Sequence, residues 1–265
     1  MMSYVSCRRI RIGDDARIRE QVSVAGPELP ESSFELGSRT VILQRTSINP
    51  TKPVTIGDDS GIGGHCLIFT HGAWLNALHG YPVTYKSVTI GRSVWLPWRV
   101  FVMPGAEIGD GSVIGANSLV NGTIPPMSLA AGSPAKVLRT APDFPRAMTD
   151  ERRRRIVDDI LGEFERMVAD HGIDVVHEGP DRTFRRDGSN FRLRRVLSED
   201  RPGGIENGDT VLSEVALTEQ EKQSYRRSGA YWLDVDAGTR SEGGSALTEE
   251  LALFLGRYGI RLARE

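Results

Sequence analysis

The chain has 265 residues, 39% of them hydrophobic and 26% charged, and its acidic and basic groups nearly cancel to a formal net charge of -2. That length predicts two domains, each large enough to bury a core. The charge balance gives no footprint for nucleic acid or an anionic membrane, both of which attract clustered Lys and Arg. The one basic run, Arg152 to Arg155, is flanked by Asp150, Glu151, Asp158 and Asp159, the composition of a solvated helix face.

The N-terminal stretch from Met1 to Arg9 has no apolar core of signal-peptide length. No segment approaches the roughly 18 apolar residues of a membrane span, so the expected location is the cytoplasm. Cys7 and Cys66 stand far apart and in no metal-ligand spacing, which predicts reduced structural thiols. Residues 1–35 carry a loose six-residue repeat, Ile12, Ile18 and Val24, interrupted by Gly26-Pro27 and Pro30. They are expected to form an irregular first coil or cap, since the end of a repeat stack must cover its aliphatic layer and its strand edges.

From residue 36 the period sharpens. Leu36, Ile42 and Ile48 form one set, Ile56, Ile62 and Ile68 a second, and Ile90, Leu96, Val102, Ile108, Ile114 and Val120 a long third. A helix repeats its apolar face every three to four residues and a free strand every two, so a strict six fits neither. It fits a coil with flat sides, in which each hexad supplies a short strand and a bend and three hexads close one turn of a parallel β-helix. Stacking then places Ile90 over Ile108, eighteen residues on, so that each coil buries its neighbour's aliphatic layer. In the tetrapeptides Ile56 to Asp59 and Ile108 to Gly111, Gly and Asp mark the sharp bends.

Residues 72–86 break the period without an aliphatic phase of their own. An insertion in a solenoid leaves as a loop, and such loops commonly carry function. This one holds Trp74, Asn76, His79, Tyr81 and Tyr85. The repeat stops near Pro125-Pro126. Beyond it, residues 141–172 are expected to form a connecting helix, because Ile156, Val157, Ile160, Leu161, Phe164, Met167 and Val168 recur at helical spacing, with Thr149 to cap the start and Gly172 to end it. Residues 173–265 read as a small α/β module of unassigned role: strands at Phe191 to Leu197 and Tyr231 to Val235, and a helix from Leu247 to Tyr258 closed by Gly259. The pairs Gly203-Gly204 and Gly243-Gly244 lack phosphate-loop spacing and read as turns.

The run from Val88 to Val120 and the ending Ala130-Ala-Gly-Ser-Pro-Ala-Lys-Val-Leu-Arg139 resemble the hexapeptide-repeat acyltransferases, most closely their sugar O-acetyltransferase branch, over roughly residues 36–140. The resemblance implies a mainly β fold, a left-handed parallel β-helix, here followed by the amphipathic helix and the α/β module. It implies a homotrimer that uses acetyl-CoA as acyl donor, in a groove between coils, with no metal. It also implies a catalytic histidine at the root of the extended loop, where His71 stands. Chemistry agrees, because a hydroxyl attacking a thioester must lose a proton and a neutral imidazole can take it near pH 7. His65, inside a hexad, and His79, inside the loop, read as structural or substrate-facing.

Carried over position by position, the family's cofactor contacts fall on Trp95 and Trp98 beside the pantetheine arm, Ala116 at a backbone contact, and Lys136 and Arg139 facing the nucleotide phosphates. Trp74, Asn76, His79, Tyr81 and Tyr85 become candidate contacts to a small-molecule or glycan acceptor. Three features depart from the family pattern: Asn117 replaces a frequent Gly, Asn121-Gly122-Thr123 replaces a segment with a cation, and Pro97-Trp98 stands where Gly and a small residue are usual. The expected function is therefore O-acyl transfer to a sugar or glycoconjugate. N-acyl transfer to an amine and a catalytically silent scaffold are the alternatives. A γ-class carbonic anhydrase site is disfavoured, since His65, His71 and His79 lack the spacing for three histidines on zinc.

Overall fold

A computed structural model describes residues 2–197 and 203–265. It divides into two units, Met1–Ala147 and Met148–Glu265. The first is a three-sided parallel β-helix. Its strands visit three sheets in rotation, so that Tyr4–Ser6, Arg9–Ile12 and Arg17–Ile18 begin the three stacks. The aliphatic ladder is in register as the period requires: Ile42 pairs with Ile62, Ile62 with Leu96, Ile56 with Ile90, and Ile90 with Ile108. These side chains are fully or almost fully buried and form one continuous core.

The sequence marks the bends, and Gly111 does serve one, but Gly57 and Gly109 have another task. The residue three places after most inward aliphatics adopts a left-handed conformation, as in Asp59 (φ 57°), His65 (φ 57°), Asn117 (φ 57°) and Gly111 (φ 68°). The glycine directly after the aliphatic is required by close stacking instead. A Cβ on Gly57 would lie 2.7 Å from the backbone nitrogen of Arg92, and one on Gly109 2.4 Å from that of Pro126. Buried hydroxyls bridge the coils at the corners: Thr40 Oγ1 donates to the Gly57 carbonyl at 2.9 Å, Thr46 to Gly63 at 2.8 Å and Ser60 to Gly91 at 2.9 Å. Each satisfies a carbonyl where a strand ladder is interrupted.

Cys66 takes the same corner position, with Sγ 3.1 Å from the Pro97 carbonyl. Burial pushes its thiol up to about 11, so it stays protonated and poorly nucleophilic. Alkylation by iodoacetamide at pH 8 is expected to be slow in the folded protein and fast after denaturation. The sign follows from linkage: the folded state holds this proton more tightly, so the contribution to stability is full below the thiol's ordinary value and declines as pH rises toward about 11.

Residues 1–35 form a first coil rather than a cap: Tyr4–Ser6, Arg9–Ile12 and Arg17–Ile18 pair in parallel with the next coil, and the irregularity is confined to the segment before Ser33–Leu36. The period of six breaks near Pro125-Pro126, but the stack itself runs on to Arg139, close to the expected end at residue 140. After a shortened coil, Ile124 pairs with Ile108 and Ala130 with Ile114, and Ala135–Arg139 then folds back antiparallel on Leu129–Gly132. The shortened spacing from Val120 to Ile124 hides this last coil from a search for sixes.

The second unit is a seven-stranded mixed sheet with helices on both faces. Helix α1 (Asp150–Ala169) starts at Thr149, whose hydroxyl accepts from the Arg152 N–H. It is not a separate connector, because its buried stripe of Val157, Ile160, Leu161, Phe164 and Val168 packs on Leu193, Leu212 and Leu233 of the sheet and on Leu251 and Phe254. Those last two lie on α3 (Ala246–Leu255), which continues as a 3-10 turn to Tyr258 before Gly259 at φ 78°. On the other face α2 (Glu219–Ser228) covers Val196, Val211 and Trp232. Among the described residues no helix is long and apolar enough to cross a membrane.

Candidate active site

His71 leaves the β-helix at a corner, where His71–Gly72 pairs antiparallel with Thr84–Tyr85 to make the stem of the loop. The His71 ring is half-buried, stacked on Tyr85 at 6.0 Å and 16° with Phe69 at 6.4 Å on another side. Its Nδ1 lies 3.4 Å from the Thr51 hydroxyl. That hydroxyl in turn donates to Asn49 Oδ1 at 2.7 Å, and the Thr51 backbone N–H reaches the same oxygen at 3.2 Å, which fixes the amide's orientation. With its proton committed to Asn49, Thr51 Oγ1 can only accept from His71. The hydrogen-bond network thereby assigns the proton to Nδ1 and leaves the Nε2 lone pair free. Asn49 and Thr51 are members of the cluster that sequence reasoning missed. Their side chains meet His71 only because the corner of one coil stacks on the next, a juxtaposition that no local motif marks.

The loop beyond the stem is open to solvent. Trp74 is 96% exposed and Leu78 93%. Tyr81 and Tyr85 are about half exposed, and His79 is exposed. Asn76 caps a short turn, its Oδ1 accepting from the Leu78 N–H at 2.9 Å.

The residues carried over as cofactor contacts gather elsewhere. Trp95 and Trp98 lie flat along the preceding coil: a Cβ on Gly61 would be 2.6 Å from the Trp95 ring and one on Gly64 2.2 Å from that of Trp98. Trp98 also faces His65 at 5.7 Å. The indole at 98 thus rests on a glycine floor rather than standing across the face. Ala116 is exposed at the following bend, beside Asn117, whose left-handed backbone Asn tolerates in place of Gly. Lys136 and Arg139 are exposed on Ala135–Arg139, the end strand of the same sheet as Trp95. Within one chain, therefore, the Trp95, Ala116 and Lys136 set and His71 occupy different faces of the prism. Among the described residues no group of three or more His, Cys, Asp or Glu is arranged to hold a metal ion.

No family model matches the chain. It is 37% identical over 100 residues to the galactoside O-acetyltransferase of Escherichia coli, a match covering 34% of this chain and 45% of the relative. It is 29% identical over 136 residues to a probable acetyltransferase of Mycobacterium tuberculosis, covering 50% and 42%. The crystal structure of a hexapeptide-repeat containing acetyltransferase from Vibrio cholerae aligns at 28% identity with a TM-score of 0.44, over 49% of this chain and 73% of that one. The chain spans about half the length of the curated relatives it matches. The relatives of this chain are thus acetyltransferases, a galactoside O-acetyltransferase among them, and the repeat and its ending resemble those of the hexapeptide-repeat acyltransferases.

Proposed function

We propose that this chain transfers an acetyl group from acetyl-CoA to a hydroxyl of a sugar or glycoconjugate, with His71 as general base. The observation that carries the reading is the His71 cluster: a half-buried imidazole at the root of the loop, oriented through Nδ1 by Thr51 and Asn49, with Nε2 free. In the step proposed, the acceptor oxygen attacks the thioester carbonyl as His71 Nε2 takes its proton. The C–S bond then breaks, and the departing thiolate recovers that proton from the imidazolium, so donor and acceptor leave as CoA thiol and ester.

Donor binding falls to the other face. Trp95 and Trp98 supply flat apolar surface for the pantetheine arm, Ala116 a backbone contact, and Lys136 and Arg139 positive charge for the phosphates. Because one chain does not bring this face to His71, the catalytic unit is a homotrimer in which neighbouring copies complete each site. The exposed Trp74, Leu75 and Leu78 of the loop have the character of a surface covered in such an assembly. In the acceptor site, Tyr81 and Tyr85 offer ring faces to a pyranose, with Asn76 and His79 at its edge.

The test is calorimetric titration of acetyl-CoA and CoA, with thiol release assayed across galactosides, glucosides and amino sugars. Donor binding with turnover on a hydroxyl acceptor is expected. Turnover on the amino group alone makes the chain an N-acyltransferase. No donor binding at millimolar concentration leaves a scaffold.

A further inference from the structure

The second unit carries a pocket that the transfer chemistry does not use. It has a volume of 460 Å³ and sits where the parallel strands Thr210–Ser213 and Tyr231–Asp234 begin. Asn190, Arg192, Glu206, Asn207, Asp209 and Tyr231 supply its polar and aromatic lining, with Phe191 and Ser245 beside them. The floor is rigid. Buried Asp209 holds Arg192 by two bonds of 2.8 and 3.2 Å, and a third from Arg192 reaches Glu206 at 2.7 Å. The same carboxylate accepts the Glu206 N–H at 2.9 Å, while the Tyr231 N–H reaches the Asp209 carbonyl at 2.8 Å and the Gly208 N–H that of Gly229 at 3.0 Å. Gly229 is needed there because it ends α2 in a left-handed conformation at φ 75°.

Charge narrows the ligand. Arg192 is committed to both carboxylates of the lining, and Arg194, 4.0 Å from Asp209, is paired with Asp181, so the lining offers a phosphate or a carboxylate no uncommitted cation. The exposed amides of Asn190 and Asn207, each presenting donors and an acceptor, together with the exposed Glu206 carboxylate, suit the vicinal hydroxyls of a sugar. Aromatic rings suit the apolar face of a pyranose, and the volume lies in the range of small-molecule sites. We infer that this pocket binds a neutral or amino-bearing pyranose and gives the chain a second docking point for a glycan. Only the use of this site to hold a glycan acceptor rests on the proposed transfer; the binding itself does not.

The experiment is saturation-transfer NMR on the full chain with glucose, galactose, glucosamine and glucose 6-phosphate as probes. It is repeated with Tyr231→Ala and with Asn190→Ala/Asn207→Ala, whose two amides are exposed and outside the core. Saturation of the three uncharged or amino sugars is expected, with glucose 6-phosphate weakest and affinity lowered roughly tenfold or more in both variants. No signal from any neutral sugar, an undiminished signal in the amide double variant, or preference for the phosphorylated sugar would overturn the inference. Thiol release with a small acceptor should be unchanged in both variants. Sugar binding without any acyl transfer sinks the transferase reading and spares this one; transfer without variant-sensitive binding does the reverse.

Discussion

Replacing His71 by alanine is expected to lower the turnover of acyl transfer by roughly 10²–10⁴-fold, the usual contribution of a positioned general base. Acetyl-CoA affinity should change little, because His71 stands on a different face from the residues proposed to hold the donor. Thiol release and calorimetry on the same preparations separate the two quantities. The Thr51→Val variant refines the reading. It keeps the shape of the side chain but removes the hydroxyl that accepts from Nδ1, so both ring tautomers become accessible. A smaller loss is expected, confined to kcat. Equal activity of wild type and His71→Ala would remove His71 from the chemistry whatever the donor does.

The second large effect concerns stability. Leu96→Ala is expected to destabilise the β-helix by about 2–5 kcal/mol, the cost of lost burial plus the cavity left behind. Leu96 is fully buried and lies in the ladder between Ile62 and Ile114, with coils on both sides that cannot collapse into the space. Its neighbour Trp95 points outward from the same strand and is 39% exposed, so Trp95→Ala should cost far less despite removing a larger side chain. Denaturant unfolding can follow this in a Trp232→Phe background. There the remaining tryptophans, Trp74, Trp95 and Trp98, all report on the first unit. A Leu96→Ala cost below that of Trp95→Ala would contradict the inward and outward assignment of the strand.

How much of this was legible in the sequence depends on how local the signal is. The stacking of Ile90 on Ile108 could be read from spacing alone, because every hexad repeats the same two jobs and many repeats reinforce one phase. The cap on α1 at Thr149 was equally readable, since it spans three residues. The packing of α1 was not: its apolar stripe is evident, but nothing in residues 150–169 names Leu212 or Leu233 as its partners. The same limit applies at the site. His71 could be chosen by its place at the foot of the loop, whereas Asn49 and Thr51 are brought to it by the stacking of one coil on another. The bends were located correctly while Gly57 and Gly109 were given the wrong reason, because spacing shows where a small residue is needed and not whether backbone angle or a neighbour's approach demands it.

The returning strand Ala135–Arg139 has a bearing on how these molecules behave at high concentration. A parallel coil is a template that another molecule could in principle extend head to tail, giving fibres without limit. In the first coil Ile10 and Ile12 are nearly half exposed. At the far end, on one of the three faces, the strand that an incoming molecule would meet runs the opposite way. The parallel pattern cannot continue on that face, so chain direction alone works against head-to-tail growth there.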